Sequence, residues 1–185
     1  MDYCLEYEHL NDDEHVFTHI NYEELIHLLD GFGTGFVFIG GAWCRNCQAI
    51  ISELNEIAKE AGIDKVYNFD PRFVDENNVE EDIRDCNNLD LRFKYYNFIE
   101  KIKYKSLEFV RNTLIPRIPV PFFVAIRNGL CVGYYSIELI KDENGLHLDG
   151  EKTDRYHEFK SHILSLMMKV NQNHKRKYFG ILLNA

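Results

Sequence analysis

The spacing of apolar positions changes several times along the chain, and each change marks an element. "HVFTHI" (15–20) reads as a short strand. Asn21 then suits a helix N-cap, with Glu24 three residues later as its capping-box partner and Leu25, Ile26, Leu28 and Leu29 as the apolar side. "DGFGTG" (30–35) breaks that helix, and Phe36 to Ile39 is a continuous apolar run bounded by glycines, the pattern of a central strand buried on both faces. From Cys47 onward Ile50, Ile51, Leu54, Ile57 and Ala58 recur at spacings of three and four, with Glu53, Asn55, Glu56, Lys59 and Glu60 opposite, and Gly62 closes this helix. "DKVYNFD" (64–70) is the next strand, ended by Pro71.

The stretch from 73 to 90 is acidic and weakly patterned, with a short helix expected around Val79 to Cys86. A firmer helix follows, its stripe formed by Tyr95, Phe98, Ile99, Ile102, Phe109 and Val110, with basic residues from Arg92 to Arg111 mostly off that stripe. "IPRIPVPFF" (115–123) carries Pro116, Pro119 and Pro121 and reads as a loop entering a strand, because proline has no backbone donor to give a helix or a central strand. Phe122 to Ile126 is that strand, "RNG" (127–129) a hairpin signal and Leu130 to Leu139 the partner strand. After the polar loop "KDENGLHLDGE", Tyr156, Phe159, Ile163, Leu166, Met167 and Val170 mark a closing helix, followed by "HKRK" and "YFGILL". The order β α β α β, inserted helices, β β α makes an α/β domain, and 185 residues suffice for one core. Residues 1–14 show no period and are expected to be a loosely held extension.

Composition changes this picture in two ways. Of the net charge of −9, nine acids fall in residues 1–44 without a single Lys or Arg, while residues 45–185 balance 21 basic against 21 acidic residues, which argues against a nucleic-acid partner. The acidic N-terminus and the lack of an 18-residue apolar run argue against a secretory signal or a membrane span, so a soluble cytoplasmic protein is expected. Five cysteines, at 4, 44, 47, 86 and 131, are an odd number without framework spacing, and in a reducing compartment most of them are expected as thiols.

Only Cys44 and Cys47 are close in sequence, and they sit where the buried strand gives way to a helix. A thiol at a helix N-terminus is favoured as an anion by unpaired amides and the macrodipole, and Arg45 is expected to add positive charge. Cys47, one turn along, can close a small disulfide with Cys44 and should be more buried. Cys44 is the candidate nucleophile and Cys47 the resolving thiol. The bland alternatives are two packing thiols or a zinc site; zinc would need two further ligands, yet Cys86 and Cys131 form no second pair and the eight histidines form no HExxH or close Cys/His cluster.

"AWCRNC" after an apolar strand, with "VPFFVAIRNG" about seventy residues later, resembles the thioredoxin family over roughly residues 15–72 and 118–170. The resemblance implies a thioredoxin-like fold, with a central mixed β-sheet flanked by helices and a helical insertion at about 73–114. It also implies thiol–disulfide oxidoreductase activity without organic cofactor or metal, a disulfide-containing substrate and a thiol electron donor as partners, and a cis peptide bond before a proline facing the cysteines. Pro121, preceded by Val120, matches that proline; Pro119 is the rival, and the distance to "RNG" favours Pro121. Trp43, Arg45, Asn46, Val120 and Pro121 would then face the substrate. Three departures stand out. Arg45-Asn46 replaces the usual Gly-Pro between the cysteines, a pair that tunes reduction potential. Phe38 stands where the family has a buried acid and Val66 where it has the acid's lysine partner, so both halves of that ion pair are apolar and the base that would help Cys47 is missing. The insertion of about forty residues is the third. The competing class is a thioredoxin-fold interaction or redox-sensing module with little turnover.

Overall fold

A computed structural model describes residues 2–74, 80–85, 87–137 and 154–171. Five strands form one mixed sheet in the order β1 (Phe17–His19), β3 (Val66–Phe69), β2 (Gly35–Ile39), β6 (Phe122–Arg127), β7 (Leu130–Ser136). The first three are parallel and the last two run antiparallel to their neighbours. β2 is central and buried throughout, as its unbroken apolar run requires. Its side chains alternate between two cores: Phe36 and Phe38 join Phe123 and Ala125 against α3 (Arg45–Glu60) and α5 (Asp154–Val170), while Val37 and Ile39 join Phe122 and Val124 against α2 (Tyr22–Asp30) and α4 (Leu89–Ile102). The chain is therefore a mixed sheet with helices on both faces. Among the described residues no helix is long and apolar enough to cross a membrane.

Local chemistry accounts for the element boundaries. Asn21 and Glu24 form the expected reciprocal capping box on α2. Asn128 and Gly129, both at positive φ, make the two-residue turn between β6 and β7, a backbone shape that Asn-Gly tolerates.

Four expectations are corrected. The segment around residues 79–86 is not helical where described: β4 (Arg72–Val74) and β5 (Glu80–Asp82) form an antiparallel hairpin, followed by a turn at Ile83–Asp85. Arg72 explains the pairing, because its guanidinium reaches Glu80 and Asp82 across the two strands. The basic helix stops at Ile102 rather than running to Arg111, since Lys103 turns left-handed and Tyr104 leaves the helix to pack against Phe122 and Tyr134, with ring centroids 5.1 and 5.2 Å away. Phe109 and Val110 belong instead to a loop pinned by Val110 N–H to Ile115 O and Arg117 N–H to Glu108 O. Finally, the N-terminal extension is not loose. It contains α1 (Tyr3–Glu6), and Tyr3, Tyr7 and Leu10 are buried in the α3 core. Asn55, expected on the polar side of α3, is buried for that reason: its amide receives Val16 N–H at 3.0 Å and donates to Asp12 at 2.6 Å. The end of β7 towards Leu139, the polar loop at 141–151, Cys86 and the tail from 174 to 183 lie outside the described residues.

Candidate functional site

β2 ends at Ile39, paired with Phe122 at the start of β6, so the turn Gly40–Cys44 and the loop Ile118–Pro121 meet at one edge of the sheet. Cys44 is the N-cap of α3 and Cys47 lies in its first turn. Opposite them the Val120–Pro121 peptide is cis, and the Val120 carbonyl faces Cys44 Sγ at 3.8 Å.

The two thiols occupy different environments. Cys44 keeps 8% exposure and Cys47 keeps none. Cys44 is therefore recessed rather than open. Its pKa is lowered to about 7, chiefly by the Cys47 thiol donating to its sulfur, then by the amides of Cys47 and Asn46 and the positive charge of Arg84, all against the cost of burial. In the thiol form neither amide completes a capping hydrogen bond, so they are held ready for the thiolate. Burial pushes the Cys47 thiol well up, and its proximity to Cys44 adds to that. The expected asymmetry is present in the geometry. Because the thiolate is the reactive form, alkylation of Cys44 should follow one ionisation with a midpoint of about 7, falling about tenfold for each pH unit below it. A midpoint at the free-thiol value of about 8.5 would contradict this.

The charge assisting Cys44 comes from a residue the sequence reading passed over. Arg45 is exposed, whereas Arg84 is 3% exposed and anchored by two bonds to Asp82 (2.9 and 2.6 Å) and one to Ile118 O (3.3 Å). Arg84 is the sole basic residue between 73 and 90, a signal that was available. Arg72 and Arg84 also hold Trp43: their guanidinium carbons lie 3.7 and 5.6 Å from its ring centroid, while its indole N–H donates to both Asp70 oxygens at 2.9 and 3.1 Å. The hairpin thus forms one wall of the site and fixes the tryptophan. Asn46 is half-buried beside Cys47, and Pro121 is buried beneath the half-buried Val120.

Behind the cysteines the register of β2 and β3 sets the neighbours of Phe36 and Phe38. Val66 pairs with Phe36, and the residue beside Phe38 is Asn68, buried, with its amide donating to Phe38 O (3.2 Å) and Gly40 O (2.8 Å). A carboxyl is nonetheless near Cys47, at Asp70 in the turn after β3. Burial raises its pKa, opposed by bonds from Trp43 and the Arg72 amide, and its charge further disfavours a Cys47 thiolate. Position 40 must be small: a Cβ there would fall 2.5 Å from Cys47 Sγ and 3.1 Å from the Phe38 ring. Gly40→Ala should therefore cost about 1–3 kcal/mol through overpacking and slow disulfide closure by displacing Cys47, measurable by denaturant titration and stopped-flow oxidation.

Among the described residues no group of three His, Cys, Asp or Glu side chains converges as a metal cage, and Cys4, Cys44, Cys47 and Cys131 are free thiols. Comparison with models of known protein families and with curated proteins yields no match. The likeness to thioredoxins therefore rests on the motif and on the geometry of the site.

Proposed function

We propose that the chain is a thiol–disulfide oxidoreductase of thioredoxin-like fold, with Cys44 as nucleophile and Cys47 as resolving thiol. One observation carries the reading: a slightly exposed thiol with a lowered pKa at a helix N-terminus, one turn from a sealed thiol with a raised one. A structural pair has no need of that difference. The mixed sheet flanked by helices, and the Val120 carbonyl facing Cys44 Sγ, support the same assignment.

The Cys44 thiolate attacks one sulfur of a substrate disulfide and expels the other as a thiolate, leaving a mixed disulfide at Cys44. Cys47, deprotonated, then attacks Cys44 Sγ and the second substrate thiolate departs. The substrate gains two electrons and the protein holds a Cys44–Cys47 disulfide, which an external thiol donor in a reducing compartment returns to the dithiol. Trp43, Arg45, Asn46 and Val120 form the rim that receives the substrate chain, with Pro121 buried beneath Val120. The same steps run in reverse with an oxidising partner, and the equilibrium with glutathione assigns the direction.

Reduction of insulin by the dithiol form, with dithiothreitol as donor, is the test: sustained turnover supports the oxidoreductase, and none with any thiol donor favours a partner-binding module. The module reading has its own observation, the exposed Leu107, Phe109 and Leu114 in the loop that leads into the cis proline.

A further inference from the structure

The parallel strands β1 and β3 end at His19 and Phe69, and a cleft of about 300 Å³ lies off those ends, between the start of α2, the first turns of α4 and the β4–β5 hairpin. The carboxyl ends of parallel strands are where open α/β sheets receive ligands, and the volume is that of a small-molecule pocket. Ile20, Phe69, Phe73, Ile83 and Leu91 give the cleft an apolar lining. Its shape is fixed by Tyr22, whose hydroxyl donates to Lys94 O at 2.9 Å and accepts from the Asn97 amide at 3.2 Å, locking α2 to α4.

Five charged or titratable side chains line the same cleft, and they divide unevenly into satisfied acceptors and spare donors. Both oxygens of Asp70 accept from the Trp43 indole N–H, at 2.9 and 3.1 Å, and one of them also takes the Arg72 amide at 2.9 Å. Glu23 accepts from Lys94 at 2.7 Å. Lys94 keeps ammonium protons beyond that bond, the Arg72 fork bonds Glu80 at 3.3 Å and retains further N–H groups, and His19 is exposed, each among the described residues. A ligand that fills the apolar lining therefore meets donors in excess of acceptors, and an anionic group complements them.

We propose that this cleft binds a small, flat apolar ligand carrying a carboxylate or sulfonate, and that its occupancy is felt at Trp43. Asp70 and Arg72 make the link, because they line the cleft and also hold the tryptophan, Asp70 at its indole nitrogen and Arg72 with its guanidinium carbon 3.7 Å from the ring centroid. The site is separate from the cysteine pair and does not depend on its chemistry.

The probe is 8-anilinonaphthalene-1-sulfonate, followed by its own fluorescence and by the indole N–H cross-peak of Trp43, the chain's sole tryptophan. Binding should saturate at one site and shift that cross-peak. Lys94→Gln should weaken it about tenfold, the loss of one charge-assisted bond, without changing the melting temperature, since Lys94 and Glu23 form an exposed pair. Leu91→Glu, which sets a carboxylate against the probe, should abolish it. N-phenyl-1-naphthylamine, the same rings without the sulfonate, should bind at least tenfold more weakly. Lys94→Gln or Leu91→Glu binding as tightly as the wild type, equal affinity for the sulfonate-free rings, or a loss produced instead by Leu107→Ser in the exposed loop before the cis proline would overturn the site. A stationary cross-peak at saturation would overturn its link to Trp43. Neither readout needs disulfide exchange, so the result stands apart from the insulin assay.

Discussion

Cys44→Ser should remove the proposed disulfide exchange and leave the protein as stable as before or more so. The loss follows from ionisation: a serine hydroxyl at neutral pH offers no anion comparable to a thiolate whose pKa is about 7, so insulin reduction should fall to background, by about a thousandfold or more. The stability follows from the helix end. Cys44 is the N-cap of α3 yet makes no capping hydrogen bond, and its sulfur donates only a weak bond, to Val120 O at 3.8 Å, beside its contact with the Cys47 thiol. Serine is among the preferred caps and can accept from the first-turn amides of Asn46 or Cys47, a gain of up to about 1 kcal/mol. That corresponds to a rise of roughly 2–4 °C in melting temperature for a chain of this size. Calorimetry beside the insulin assay separates the two effects, and a destabilised variant would mean that the thiol is there for packing.

Arg84→Met should be the most damaging single change to the fold outside the apolar core. The guanidinium is almost fully buried and holds Asp82, which is 16% exposed at its side chain and has Arg72 at 3.8 Å as its other cation among the described residues, with the Arg84 backbone N–H donating at 2.9 Å. Removing one member of such a pair orphans the other, at a cost of about 3 kcal/mol, and also frees Ile118 O from the hairpin. The melting temperature should drop by roughly 6–12 °C. Cys44 should become less acidic, since one of the influences lowering its pKa is gone, while the Cys47 thiol and the amides remain. The double variant Asp82→Leu/Arg84→Met separates the roles: with no charge orphaned, stability should largely return, but the Cys44 midpoint should stay raised. A double variant with the wild-type midpoint would remove Arg84 from the account of Cys44 reactivity.

Much of the architecture follows from local patterns that tertiary packing reinforces. The capping box at Asn21 and Glu24, the Asn-Gly turn and the apolar run of β2 each have a short-range cause, and each is in the fold where the spacing puts it. Misreadings cluster where long-range contacts decide. Phe109 and Val110 continue the period of α4 in sequence, but Tyr104 gains more by packing on Phe122 and Tyr134 than by extending the helix. Tyr3, Tyr7 and Leu10 have no period because they fold as a strap held by Gln48 and Asn55 rather than as a long element. The site divides the same way. Cys44 and Cys47 are legible from spacing and Pro121 from the resemblance, whereas Asp70, Arg72 and Arg84 act across tens of residues and reach Trp43 through the end of β3 and the hairpin that follows it. Arg45 illustrates the limit: adjacency in sequence at a helix start turns its side chain outward, while a distant arginine supplies the charge.

Cys44 caps its helix without a side-chain hydrogen bond, and a gain in stability on Cys44→Ser would be the behaviour expected of a position kept for reaction rather than for packing.

The most direct measurement is to incubate Cys47→Ser with oxidised glutathione and map the adduct by peptide mass spectrometry. With its resolving partner removed, Cys44 should accumulate one glutathione, ahead of every other cysteine. No adduct at Cys44, or a faster one at Cys4 or Cys131, would contradict the assignment of Cys44 as the attacking thiol.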